Sequence, residues 1–191
     1  MNLNNRSNCN PHAISCPIPN TVSIPIQSIP SPPEPPEPPE PAVTTNNALI
    51  GHTAFVTVVN PDTPIPLDTN QLINGTTISH IPPSPMILLA PNHTYSVEYS
   101  VYGSAPAGSG LIVALRLNGT TVLPFSEATN DFNFILPTTS PVGASGGAII
   151  NTTGNTLNTL EVFNQAPTGT TTFRSIPPFF RAVSVRIIQL S

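Results

Sequence analysis

The chain has 191 residues, of which only 7% are charged, against roughly 25% in ordinary soluble domains. It contains no lysine; its cations are Arg6, Arg116, Arg174, Arg181 and Arg186, and the net charge is −4. These numbers leave no basic surface for nucleic acid or an anionic bilayer, and no stretch of about 20 apolar residues that could span a membrane.

Thr, Asn, Ser, Pro and Gly take the place of the missing charges, the composition of a turn-rich β protein. Charged side chains normally keep protein surfaces apart. A surface without them tolerates close contact with other subunits, so the composition reads as an assembly signal; a neutral monomer made soluble by Thr and Asn is the alternative.

The leader, residues 1–20, is Asn-rich. MNLNNRSNCN has no basic region followed by an apolar core, so no secretory signal peptide is expected. An extracellular location would then need another route, such as lysis of a surrounding mother cell. Cys9 and Cys16 both fall here, and none falls in the remainder of the chain, so no disulfide staples a core. With His12 they offer three metal ligands on a segment without a scaffold, one short of a closed tetrahedral site. Two readings of the pair stay open: reduced thiols in a flexible tail, or an intermolecular disulfide between assembled subunits.

Residues 21–29, TVSIPIQSI, form an apolar island in which Val22, Ile24 and Ile26 alternate with Ser23, Pro25 and Gln27, and Ile29 follows. Pro25 cannot donate to a ladder, which limits this segment to an edge or added strand. A lone strand of this length is not stable. The expected role of Val22, Ile24, Ile26 and Ile29 is therefore inter-subunit docking, with a disordered apolar patch as the alternative.

Residues 30–41, PSPPEPPEPPEP, repeat PPE. Polyproline II has three residues per turn and rises about 3.1 Å per residue, giving a semi-rigid rod of roughly 37 Å. The period of three sets Glu34, Glu37 and Glu40 on one face of this neck. Collagen is excluded, because it needs Gly at every third position and none precedes Gly51.

Residues 42–191 alternate β-branched runs with Gly, Pro and Asn-Gly turns. Strands are expected at 48–59, 76–81, 85–89, 94–103, 110–118, 120–125, 132–136, 146–151, 157–164 and 179–190. Asn118–Gly119 and Asn74–Gly75 are hairpin signals. No window carries helical periodicity. This pattern predicts an all-β fold: a jelly-roll β-sandwich head, preceded by an extended polyproline II neck and an N-terminal connector.

Four segments carry a resemblance. LAPNHTYSVEYSVYG places Tyr95 and Tyr99 four apart after a Pro-Asn turn; VALRLNGTTVL spans 113–123; GGAIINTTGNTLNTLEVFN spans 146–164; AVSVRIIQLS closes the chain at 182–191. Together and in this order they resemble the trimeric jelly-roll heads of the tumour-necrosis-factor and complement superfamily. Its bacterial branch caps collagen-like glycoproteins of the spore exosporium. The resemblance implies a homotrimer packed about a three-fold axis, with the two ends of the head close together at its base. The stem departs from that family, since PPEPPEPPE replaces Gly-X-Y. A short rod with an apolar island beyond it is similar to the layout of bacterial spore appendage subunits, whose connectors enter a neighbouring subunit.

No chemistry-bearing constellation emerges. His12, His52, His80 and His93 have no metal-like or triad-like neighbours in sequence and read as surface or hydrogen-bonded strand residues. Glu98 lies on the tyrosine strand, facing polar groups or the trimer axis. Glu127 and Asp131 flank a loop, ATNDFN, with too few oxygens for a hard cation. No G-x-S-x-G, P-loop or dinucleotide fingerprint occurs. The expectation is a non-enzyme without cofactor or metal, extracellular, on a bacterial spore surface. Its partners are expected to be copies of itself, as a trimer and then a head-to-tail filament, and a spore-surface anchor protein. The alternatives are an exosporium nap or tip glycoprotein, or a ligand-binding trimeric head that does not polymerise.

Overall fold

A computed structural model describes residues 45–106, 108–130, 140–175 and 181–191. All belong to the second of two units in the chain, Pro41–Ser191. The readings of the leader (Cys9, Cys16), the island (Val22, Ile24, Ile26, Ile29) and the neck (Glu34, Glu37, Glu40) lie outside the described residues, as does the strand expected at 132–136.

The described residues form strands and turns, with no helix among them. Thirteen strands are seen: β1 Asn47–His52, β2 Val56–Val59, β3 Thr69–Asn74, β4 Ile78–His80, β5 Ile87–Leu89, β6 Thr94–Ser104, β7 Leu111–Leu117, β8 Thr121–Val122, β9 Ala128–Asn130, β10 Val142–Asn151, β11 Asn158–Asn164, β12 Thr171–Arg174 and β13 Val183–Gln189. Seven build one sheet in the order β10-β6-β13-β1-β3, with β12 and β2 prolonging it past the end of β13. Six build the other, in the order β4-β5-β11-β7, with β8 and β9 both along the free side of β7. Every pairing is antiparallel. The chain crosses between sheets at β3–β4, β5–β6, β6–β7, β9–β10, β10–β11 and β11–β12, which makes the sandwich a jelly roll.

Period-2 alternation sets the layers. On β6, Tyr95, Val97, Tyr99 and Val101 are buried, while Ser96, Glu98 and Ser100 turn away from the core. β13 repeats this with Val183, Val185 and Ile187 inward. The opposite sheet contributes Leu111, Val113, Leu115, Leu160 and Val162. Asn47 pairs with Ile188, so the start of the head and its closing strand lie side by side.

Polar side chains staple the two sheets. The Tyr99 hydroxyl lies 2.7 Å from the carbonyl of Val113 and 2.6 Å from that of Ser126, and donates its one hydrogen between them. Burial pushes this phenol far above its ordinary value, so it stays a neutral donor. The Tyr95 hydroxyl donates towards the carbonyls of Thr77 and Ala90 at 3.2 and 3.3 Å. Replacing Tyr99 by Phe keeps the ring and removes the donor. The expected loss is about 1–2 kcal/mol in a urea titration, the cost of an unmade buried hydrogen bond.

Several sequence expectations change. The run 48–59 is two strands, because the Asp68 carboxylate accepts from the amides of Thr53 and Ala54 and folds the chain out of the ladder there. Asn118–Gly119, at φ 53° and 70°, closes the β7–β8 hairpin as expected. Asn74–Gly75 instead carries the chain from one sheet to the other. The stretch 120–125 keeps only Thr121–Val122 as strand and then bends, with Phe125 at φ 60°. Ala128–Asn130, placed in a loop by the sequence, pairs with β7.

Candidate self-association face

One face of the seven-stranded sheet packs on the core; the other is outward. Register fixes what it presents. Across one row stand Ile149, Ser96, Ile188, Asn47 and Asn74, and across the next Gly147, Glu98, Arg186, Leu49 and Leu72. A third row sets Ser145, Ser100, Ser184 and Gly51 side by side. Small residues hold this surface flat. A Cβ on Gly147 would sit 2.5 Å from the Val97 carbonyl, and one on Gly51 2.8 Å from that of Val183, so backbone contact enforces both glycines.

Charge is almost absent from these rows. Glu98 and Arg186 are cross-strand partners, with Nη1 and Oε2 3.8 Å apart and side chains 68% and 63% exposed. So exposed a pair contributes little in an isolated head. Glu98 thus faces a charged partner on the outward sheet, one of the two surroundings the sequence allowed. Ile149 is 70% exposed and Leu72 47%. Three hollows cross the face. One of about 400 Å³ lies between Glu98, Ser100, Ser145 and Arg186. Another, of about 820 Å³, extends past Tyr102 and Gly143. The third, of about 560 Å³, lies at the β1–β3 end between Leu49, Leu72, Ile188 and Arg186.

Sequence reasoning missed one polar cluster. His52 is buried, with Nδ1 3.2 Å from Asp68 Oδ2 but poorly aligned for a hydrogen bond, and Nε2 2.5 Å from the Thr57 hydroxyl. His52 is thus a hydrogen-bonded strand residue, as expected, and Asp68, sixteen residues on, reaches it through the fold. The Asp68 carboxylate is occupied by the amides of Thr53 and Ala54 and the hydroxyls of Thr53 and Thr69. The cluster therefore ties β1, β2 and the 60–68 loop together. His80 does comparable work: its ring nitrogens meet Asn70 Oδ1 at 2.5 Å and the Ser84 carbonyl at 2.8 Å. His93 stands edge-on to Tyr95. Among the described residues no three His, Cys, Asp or Glu side chains gather as a metal site needs, and no helix is long and apolar enough to cross a membrane.

Burial holds the His52 imidazole below its ordinary 6.5, against the attraction of Asp68. The unfolded chain therefore takes up a proton first as pH falls, and the contribution of neutral His52, complete above pH 6.5, declines below it. For Asp68, burial raises the carboxyl, but hydrogen bonds from Thr69 and Thr53 and the His52 charge outweigh it and bring it below 3.8. Its stabilisation is present above pH 3.8 and lost in stronger acid. Melting temperature is expected to fall as pH drops from 6.5 towards 5, and His52→Gln is expected to flatten that slope in a calorimetric pH series.

Comparison with solved structures finds this sandwich again. The Eiger tumour necrosis factor of S. frugiperda superposes with a TM-score of 0.59 at 12% identity, covering 78% of this chain and 94% of its own. The globular domain of zebrafish complement 1qA gives 0.48 at 9% identity, over 76% and 95% of the two chains. Murine APRIL gives 0.48 at 11% identity, over 75% and 98%. At 12% identity the Eiger likeness is one of fold. No protein-family model matches the chain, and no curated protein matches it in sequence.

Proposed function

We propose that this chain is a structural subunit of an extracellular fibre on the bacterial spore surface. Residues 42–191 form the trimerising head, 30–41 the neck and 1–29 the connector. Three heads meet through the outward face of the seven-stranded sheet. The observation that carries self-association is that face: rows of Ser, Gly, Leu and Ile, with Glu98 and Arg186 paired among them. Solvent-facing sheets ordinarily carry more charge, which guards against unwanted contact. The resemblance to trimeric heads favours three copies.

Fibre formation rests on the connector. Val22, Ile24, Ile26 and Ile29 leave water by docking on the next trimer, as an added strand or an apolar plug. Contacts of this head-to-tail kind do not close, so they propagate. Cys9 and Cys16 belong to the connector, and a disulfide between neighbouring copies locks the joint. A spore-surface anchor protein would hold the fibre's base.

Deleting residues 1–29 tests this reading. Negative-stain microscopy is expected to show fibres for the full chain and single trimers for the truncated one. Long fibres from the truncated chain would reject the connector. A full-length protein that stays a single trimer would fit a nap or tip glycoprotein instead.

A further inference from the structure

Phe125 is the most exposed large apolar residue among those described, at 99%. It is also held in the left-handed region, at φ 60°, which costs a bulky side chain energy that glycine would not incur. Nothing in the turn relaxes it. Ser126 N donates to the Leu123 carbonyl at 3.3 Å, Ser126 Oγ donates to the same carbonyl at 2.8 Å and accepts from Leu115 N at 3.0 Å. A phenyl ring is thus presented to solvent on a rigid, strained support. Such a combination marks a binding element, because an ordering cost already met in the free protein is not charged again on association.

The turn bearing Phe125 leads into β9, and Asn130 of β9 donates to the Gly143 carbonyl of β10 at 2.9 Å, so it stands at the β10 side of the sandwich. At the other end of the seven-stranded sheet is the hollow of about 560 Å³ between Leu49, Leu72, Ile188 and Arg186. Its walls are mostly aliphatic, with Asn47 the one amide, and the Arg186 guanidinium that borders it can lie over an aromatic face. The same head already makes that contact internally, with the Arg116 guanidinium carbon 4.6 Å from the centre of the Phe163 ring.

We propose that Phe125 of one head seats in the Leu49–Leu72–Ile188–Arg186 hollow of a second copy. This rests on the self-association proposed above and names its contact. The knob, on the β8–β9 turn of the six-stranded sheet, and the hollow, at the β3 edge of the seven-stranded one, are different surfaces, so the contact is heterologous, and a rotation that closes after three copies gives a ring with every knob filled.

Two full-length variants test it. In a Cys9→Ser, Cys16→Ser background, Glu127→Cys with Asn74→Cys, exposed positions that flank the knob and the hollow and leave Phe125 and Leu72 in place, bridged by a short bismaleimide, is expected to run as a covalent trimer on a denaturing gel. Either single cysteine is expected to remain monomeric there. Phe125→Gly relieves the backbone and removes the knob, so its melting temperature, compared where both proteins are single heads, should hold or rise while trimer dissociation increases at least tenfold. If the parent is trimeric in solution but the double-cysteine protein stays uncrosslinked, or Phe125→Gly associates like the parent, the contact is wrong and the trimer stands. A parent that is monomeric at micromolar concentration overturns both.

Discussion

Replacing Asn164 by leucine is expected to destabilise the head by about 3–5 kcal/mol, since several buried groups lose partners at a typical 1–3 kcal/mol each and the losses do not fully add. Asn164 is completely buried at the end of β11. Its Nδ2 donates to the carbonyls of Val59 and Asn60, both at 3.1 Å, and its Oδ1 accepts from Ala166 N at 3.2 Å and the Thr171 hydroxyl at 3.1 Å. One amide therefore joins a strand of the six-stranded sheet to β2 and β12 of the other. Leucine fills a similar volume but satisfies none of the four. Urea denaturation measures the loss; a change below about 1 kcal/mol would show that water takes over these groups.

The second large effect concerns association rather than folding. Ser100→Asp places a carboxylate at the middle of the outward face, between Ser145 and Ser184. Ser100 is exposed, so the isolated head should keep its stability to within about 0.5 kcal/mol. In a trimer, each copy would bury a second carboxylate beside Glu98, whose pairing already engages Arg186, at a cost of several kcal/mol apiece. Sedimentation velocity is expected to show association weakened at least a hundredfold, with the melting curve unchanged at concentrations where both proteins are single heads. A variant that still sediments as the parent does would place the interface elsewhere.

The sandwich was legible where side chains alternate strongly. TYSVEYSVYG and AVSVRIIQL announce β6 and β13, because an inward β-branched or aromatic residue at every second position can serve only a two-faced strand. The strands that sequence missed lack that signature. Thr69–Asn74 is polar and largely exposed, an edge strand set by its pairing with β1. Thr171–Arg174 is four residues long and pairs at the rim of the sheet. The Gly-rich start of β10, Val142–Gly147, has little intrinsic strand preference; close contact with the Val97 carbonyl demands Gly147, and with the Tyr99 hydroxyl and Ser126 carbonyl Gly146, and these glycines hide the strand.

The candidate face was legible only as composition. Scarce charge suggested assembly, but which surface lacks charge depends on register, and register across β10, β6, β13, β1 and β3 joins residues distant in the chain, Asn47 and Ile188 among them. The His52–Asp68–Thr57 cluster spans only sixteen residues but forms through the fold that brings Asp68 back against Thr53 and Ala54, and the backbone angle at Phe125 leaves no mark in the sequence.

Hydroxyl-radical footprinting of the assembled protein tests most directly whether the outward sheet face lies between copies. Leu49, Leu72, Ile149 and Ile188 are expected to be protected in assembled material and labelled when it is diluted to single heads. Ile81 and Met86, exposed on the opposite sheet's β4–β5 connection, should label alike in both. Equal labelling of Ile149 and Ile188 in the assembled and dispersed protein would contradict the account.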